Sequence, residues 1–362
     1  MSLSNLLSQP KIAILILNWN TSGYLKRFLP SVLNTTYQNK QIYVIDNNST
    51  DDSVEVLEKH FPEVHIIRMF SNKGYASGYN LCLSQIEADY FLLVNSDIEV
   101  TPSFIEPVIK LMEADPKIGI CQPKLLSLDA RDKFEYAGAC GGWIDQIGLP
   151  FSRGRVLLTI EKDKSQYNDT EKIFWATGAC MFLKEAVYKN IGGFYDYYYM
   201  HQEDIDLCWR AQNAGYKIYV CPQSEVYHIG GGSLSWENHL KTFLTFRNNY
   251  ILLSRNLPLI QLLYIIPLRV FLDLGGCIYF LFSGKPGISN AMFKAQFAYV
   301  YWLLFVLSKS LPKTKGLKNC FGVYRNTILI PYFLKNKRKF SEIVPLKLRH
   351  KAQDAKLTGK KI

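Results

Sequence analysis

Residues 90–100 read YFLLVNSDIEV. The run from Tyr90 to Val94 is short and wholly apolar, the pattern of a strand buried on both faces. It stops abruptly in three polar residues, Asn95, Ser96 and Asp97. A buried parallel strand that ends in a carboxylate presents it at the carboxyl edge of a sheet, where open α/β folds bind ligands. The same residues also suit an ordinary turn followed by a helix cap. The stretch alone supports both readings, and the rest of the chain separates them.

Working outward, residues 11–17 (KIAILIL) predict a buried strand ending in Asn18-Trp19-Asn20. Thr21 or Ser22 caps a helix to about residue 33. Residues 41–45 predict a second strand, ending in Asp46-Asn47-Asn48. Ser49 or Thr50 then caps a helix to about residue 60, with Asp51 and Asp52 favourably placed near its N-terminus. A third strand over 64–69 leads through Asn72-Lys73-Gly74 to a helix over 76–86. The 90–94 strand and a helix over 102–114 follow. Strand and helix alternate with short connections, which implies an α/β fold with a Rossmann-like, mostly parallel sheet and helices on both faces. The polar groups at 18–20, 46 and 95–97 then fall on one edge and can converge. The dinucleotide fingerprint is missing, because the first strand is followed by NWNTSG and not GxGxxG. Gly74 and Gly78 suit a tight turn, close backbone approach to a ligand, or helix packing.

Beyond residue 121 the pattern loosens. Residues 125–172 predict irregular strands, with a mobile loop about 152–170. A short strand at 181–183 and a helix over 184–190, ended by Gly192-Gly193, come next. Residues 194–200, FYDYYYM, suit either core or a sugar-stacking wall. Residues 201–210 read HQEDIDLCWR, with Ile205 and Trp209 facing inward on a helix to about 214. Glu203 and Asp204 fall in its first turn, where the helix dipole favours carboxylates. Two adjacent acids, preceded by His201 and followed by Asp206, exceed what a cap requires. Strands at 216–221 and 225–228 end in His228, just before a Gly-rich loop over 230–233. Imidazole binds metals and backbone amides hold phosphate, so His228 is a ligand candidate.

The 362 residues are enough for two domains, and 48% hydrophobic with 20% charged residues is a globular composition. Net charge is +11, and residues 331–362 hold ten Lys and Arg against two acids, Glu342 and Asp354. Such a tail suits an anionic membrane surface or nucleic acid. No nucleic-acid motif accompanies it, so no nucleic-acid partner is expected. The eight cysteines show no CxxC and no zinc-like spacing, and residues 1–11 have no long apolar run. Buried, reduced cysteines and a cytoplasmic protein without a signal peptide are therefore expected. Residues 257–282 are apolar but contain Arg269 and Asp273, and residues 295–307 are free of charge for 13 positions. A spanning helix needs about 20 apolar residues, so neither reads as one. Helices lying on the bilayer surface, a buried helical subdomain and a dimer interface remain. The basic tail favours the bilayer.

The ordered set ILNWN (16–20), VIDNNSTDDS (44–53), NKGYASGYN (72–80), LLVNSDIEV (92–100), WATGACMFLK (175–184), GGFYDYYYMHQEDIDLCWR (192–210) and VYHIGGGS (226–233) resembles glycosyltransferase family 2. These are inverting enzymes with the A-type nucleotide-sugar fold, and the chain is most similar to rhamnosyltransferase-type members that build bacterial surface polysaccharides. The resemblance implies a glycosyltransferase domain over 11–240, after a tail over 1–10. A helical, apolar and basic region over 241–362 would follow, associating with the inner face of the cell membrane. It implies that Leu17, Asn18 and Trp19 line the base pocket and that Asp46 hydrogen-bonds a pyrimidine. Asn72 and Gly74 would lie against the nucleotide. Asn95 and Asp97 occupy the ends of the DxD metal motif, with Asn95 replacing its first carboxylate. His228 would add a metal ligand for Mg2+ or Mn2+. Asp204 would be the catalytic base, with Glu203 beside it, and Trp175 and Gly178 would lie toward a saccharide or lipid-linked acceptor. A nucleotidyltransferase and an inactive relative with an assembly role are the alternatives from other classes.

Overall fold

The structure is a computed structural model that describes residues 9–230, 238–307 and 314–349. The first half alternates as its sequence pattern dictates: β1 (Ile12–Asn18), α1 (Ser22–Leu33), β2 (Lys40–Asp46), α2 (Ser53–His60), β3 (His65–Arg68), α3 (Gly74–Leu83) and β4 (Tyr90–Asn95). These strands run parallel in the order β4, β1, β2, β3. Side chains alternate across the sheet. Ile12, Ile14 and Ile16 of β1 therefore pack with Leu25 and Leu29 of α1, and Ala13 and Leu15 pack on the other face with Ala76 and Tyr79 of α3.

After β4 the chain turns through Ser96 and Asp97 into a short strand, β5 (Ile98–Val100), rather than into a helix. The next helix, α4 (Ile105–Ala114), starts later than expected, and β6 (Ile118–Ser127) follows. Residues 152–170, expected as a mobile loop, are instead packed into a second sheet of β7 (Gly142–Asp145), β8 (Pro150–Ser152), β9 (Arg155–Val156) and β10 (Thr159–Ile160). The reason is a buried ion cluster that composition does not reveal. Arg153 is fully buried, 2.5 Å from Asp169 and 3.3 Å from Glu171.

The main sheet then becomes mixed. After β11 (Glu171–Lys172), β12 (Cys180–Lys184) inserts antiparallel between β4 and β6. Two helices, α5 (Glu185–Ile191) and α6 (Glu203–Asn213), precede β13 (Lys217–His228), which pairs parallel with β6. The strands expected at 216–221 and 225–228 are this single strand. Its register shifts between Cys221 and Glu225, where Pro222 has no N–H for the ladder. β5 pairs with the far end of β13 and sets Ile98 opposite His228.

A helical region completes the chain: α7 (His239–Asn256), capped by the Asn238 side chain, then α8 (Leu259–Phe282) and α9 (Pro286–Tyr301). Trp236, where α7 was expected to begin, lies outside the described residues, as do residues 231–233 of the Gly-rich loop and residues 350–362 of the basic tail. The chain beyond Leu317 returns to the second sheet. β14 (Val323–Tyr324) pairs with β7, Phe340 packs against Trp143, Phe151 and Tyr167, and Arg349 joins Asp169 and Glu171. All eight cysteines are buried and none forms a disulfide.

Candidate active site

Strand register brings the first acids together. Asn18 stands opposite Asp46 across β1 and β2, and Leu17 stands opposite Asn95 across β1 and β4. Asn18 Nδ2 donates to Asp46 Oδ1 (3.1 Å) and to Ser49 Oγ (3.0 Å), while the Ser49 N–H donates to Asp46 Oδ2 (3.2 Å). A carboxylate has about four acceptor sites, so Asp46 keeps capacity for a ligand. Thr21 Oγ1 donates to Asn18 Oδ1 (2.5 Å) and to Ser96 Oγ (3.0 Å), tying this pocket to the end of β4. Beside it, Leu17 is half-buried and Trp19 is 48% exposed, an indole face open to solvent.

The wall after β3 is built on Asn47 and Asn72. Asn47 Nδ2 donates to Asn72 Oδ1 (3.0 Å) and to the Gly74 carbonyl (3.2 Å), and its Oδ1 accepts the Lys73 N–H (2.9 Å). Gly74 has φ +73°, and a Cβ there would lie 2.5 Å from the Tyr199 ring, so both backbone and space demand glycine. The Tyr199 hydroxyl closes this wall by donating to Asn72 Oδ1 (3.2 Å).

Asp97 is buried against His228, with Oδ1 3.0 Å from Nε2, and His228 Nδ1 stands 3.3 Å from Glu135 Oε1 without hydrogen-bond geometry. Burial works against a charge on His228, and the carboxylates of Glu135 and Asp97 outweigh it, pushing the imidazole up to about 10. Among the described residues no three His, Cys, Asp or Glu side chains converge as a metal-ligand set. Asp97 and His228 do offer two. In this structure the two are joined by a hydrogen bond, so a cation held by both would replace the proton between them.

The third acid reaches the same rim through the start of β12. The Asn95 N–H donates to the Ala179 carbonyl (2.9 Å), and the N–H of Gly178, one residue earlier, donates to Asp204 Oδ2 (3.1 Å). Asp204 Oδ1 accepts its neighbour Ile205's N–H (2.8 Å). A Cβ on Gly178 would lie 2.5 Å from the Tyr75 hydroxyl, so glycine allows this close approach. Burial pushes the Asp204 carboxyl up to about 6, against the pull of those backbone donors. Glu203 is pushed well above the usual carboxylate range, first by burial and then by the charge of Asp204, and its Oε2 has no hydrogen-bond partner among the described residues.

Trp175 does not line the cleft. Its ring is buried against Gly142, and Nε1 donates to the Trp143 carbonyl (3.0 Å), so it supports the Gly178 turn from beneath. The aromatic run 194–200 divides between roles: Phe194 and Tyr198 are core, and Tyr199 reaches the wall at Asn72. Sequence reasoning missed Ser49 and Glu135, which carry no spacing signal. It noted Asn47 as part of a polar strand end without giving it a role.

A mostly parallel α/β sheet with a polar pocket, an Asp–His pair and a helix-borne carboxylate along one edge describes a nucleotide-sugar transferase. The chain belongs to glycosyl transferase family 2, whose sequence profile matches residues 13–192. Glu203, Asp204 and His228 lie past the matched stretch. Over 231 residues the chain is 22% identical to the N-acetylglucosaminyl-diphospho-decaprenol L-rhamnosyltransferase of Mycobacterium tuberculosis, covering 60% of this chain and 75% of that one. It is 25% identical over 261 residues to rhamnosyltransferase WbbL of Escherichia coli K12, covering 68% and 96%. The crystal structure of GalNAc-T7 with UDP, GalNAc and Mn2+ matches with a TM-score of 0.53 at 13% identity, over 69% of this chain and 48% of that one. That likeness establishes the A-type glycosyltransferase fold.

Proposed function

We propose that this glycosyltransferase moves a sugar, with inversion, from a pyrimidine nucleoside diphosphate to a saccharide or lipid-linked acceptor in surface-glycan synthesis. The observation that supports the reading is Asp204, a carboxylate held by two backbone N–H groups, those of Gly178 at the start of β12 and of Ile205. Inversion follows when an acceptor hydroxyl, losing its proton to Asp204, attacks the anomeric carbon directly as the bond to the diphosphate breaks. Asp46 and Asn18 suit the hydrogen-bonding edge of a pyrimidine, and Trp19 offers a face for the base. The rhamnosyltransferase relatives point to a deoxyhexose donor, and the M. tuberculosis enzyme is named for a lipid-diphosphate acceptor.

The charge that develops on the leaving diphosphate needs compensation, and a bound divalent cation supplies it. Asp97 and His228 would hold that cation, and with Asn95 carrying no charge the donor's own phosphates would have to supply further oxygens. Few protein ligands plus substrate phosphates is the usual arrangement for Mg2+, and Mn2+ accepts the same oxygen ligands.

Two measurements test these assignments. In thermal-shift assays, dTDP- and UDP-sugars raise the melting temperature and Mn2+ enlarges the rise; stabilisation by GDP-sugars alone would refute the pyrimidine pocket. Separately, His228→Ala and Asp97→Asn each weaken Mn2+ binding in the presence of UDP at least tenfold, read by Mn2+ electron paramagnetic resonance. Wild-type affinity in both variants removes the cation from this pair.

A further inference from the structure

We propose that the outer face of the α8–α9 hairpin is a docking surface for an anionic lipid bilayer, on which the two helices lie flat. The sequence of α8 looks interrupted by Arg269 and Asp273, but in the structure both turn inward. Leu262, Ile265, Arg269, Asp273 and Cys277 form the buried stripe of the helix. Arg269 Nη1 donates to the Ile147 carbonyl (3.1 Å), and Asp273 accepts the Tyr250 hydroxyl (2.7 Å) while standing 3.7 Å from Arg269. The two charges thus anchor α8 to the rest of the protein, and no exposed residue of α8 is charged. Ile260 is 71% exposed, Phe271 74% and Phe282 86%.

The chain reverses at Gly284, where φ is +73°, and α9 adds Phe293, Phe297 and Val300 to the exposed apolar surface. Leu304 and Phe305 extend it past the end of α9. Scattered apolar residues are normal on a surface, but a contiguous face of this length marks an interaction site.

Two features choose the bilayer over other occupants. First, α8 is long and apolar enough to cross a membrane, yet its charged stripe is committed to contacts with Ile147 and Tyr250. A helix fastened sideways to a polar domain lies in the interface rather than across it. Second, lysines accompany the apolar surface. Lys285 sits exposed at the hairpin turn, Lys294 is exposed on α9, and exposed Phe333 and Leu334 run into Lys335, Lys337 and Lys339. Apolar side chains with a basic collar match the acyl boundary and headgroups of anionic lipids. A symmetric dimer through the same face would set lysines of one copy against those of the other. The proposal is independent of the donor and base assignments.

The test is vesicle flotation of the full chain, which reads binding without activity. With vesicles of phosphatidylcholine and about 30% phosphatidylglycerol the protein floats, and with phosphatidylcholine alone binding falls at least tenfold, because each basic residue near an anionic surface adds attraction. Leu263→Glu with Phe271→Glu removes flotation by tenfold or more. Phe282→Glu, at the exposed end of α8 where folding is least at stake, reduces it severalfold while the melting temperature stays as in wild type. Wild-type flotation of both variants overturns the proposal. So does a discrete dimer in light scattering that ignores vesicles and dissociates in the glutamate variants, because the face would then join two copies of this chain.

Discussion

Asp204→Asn lowers glycosyl transfer by about 10²–10⁴-fold, the usual contribution of a positioned general base, and leaves nucleotide binding unchanged. The separation of effects follows from position. Asp204 is fixed by the backbone of Gly178 and Ile205 at the β12 end of the rim, whereas the nucleotide wall is made by Asn18, Asp46, Asn47 and Asn72. The amide keeps the shape of the carboxylate and loses only its capacity to take a proton. The wild-type pH profile carries the same signature. Burial raises the Asp204 carboxyl to about 6, so below that pH the group already holds a proton and transfer fails. Above it the carboxylate is free, and the rate rises to a plateau. Glu203 enters as the partner that keeps its proton, because burial and the charge of Asp204 both oppose its ionisation. Adjacent acids of this kind titrate as a pair, so the acid limb belongs to both, and it disappears in Asp204→Asn. Initial rates from pH 4.5 to 8, with nucleotide affinity from thermal shift, measure all of this. A variant that binds donor and still turns over near the wild-type rate removes Asp204 from the chemistry.

Much of this site is legible in the sequence, for a simple reason. Parallel strands buried on both faces are continuous apolar runs, and the residue where each run breaks into polar side chains must sit at the carboxyl edge. Asn18, Asp46 and Asn95 were placed by that rule, and the register of β1 with β2 and β4 sets them side by side. Asp97 follows from the same rule and His228 from its place at a strand end before a Gly-rich loop, but that the two touch is not legible, because their contact depends on β5 pairing antiparallel with the end of β13 across 131 positions of sequence. The second sheet was illegible. Its strands are two to four residues long, too short to show a period, and its order comes from the buried ions of Arg153, Glu171 and Arg349. Arg269 and Asp273 misled in the opposite sense. Charges in an apolar helix read as interruptions of it, and only the packing shows that they are its inward-facing stripe.

Asn248→Ala and Asn248→Asp each reduce kcat at least tenfold, with little change in KM for the donor, and shift the acid limb toward the ordinary carboxylate range. The loop that delivers Glu203 and Asp204 is held in an unfavourable backbone: φ is +64° at Tyr199, +68° at His201 and +73° at Gln202. Each such residue costs about 1–3 kcal/mol and persists only where surrounding contacts over-determine it. Here α7 provides those contacts. Asn248, fully buried, shares the two hydrogens of Nδ2 among the carbonyls of Tyr198 (2.9 Å), Met200 (2.8 Å) and His201 (2.8 Å). Arg247 fixes the asparagine by donating from Nε to its Oδ1 (2.9 Å), and reaches the carbonyls of Tyr197 and Tyr198 from Nη2 (3.2 and 3.1 Å). Alanine leaves three carbonyls without that donor, at about 1–3 kcal/mol for each one that stays buried and unpaired. Aspartate is nearly isosteric but has no N–H to give, so it faces the same carbonyls with acceptors. If Asn248 only filled space, aspartate would be the milder change; if it only stabilised the fold, both variants would melt lower yet retain wild-type kcat and pH midpoint at 20 °C. Relaxation of the loop instead exposes Asp204 to water, which removes the burial that raised its pKa. A lower melting temperature accompanied by an unmoved acid limb would show that the carbonyl clamp holds the fold and not the base.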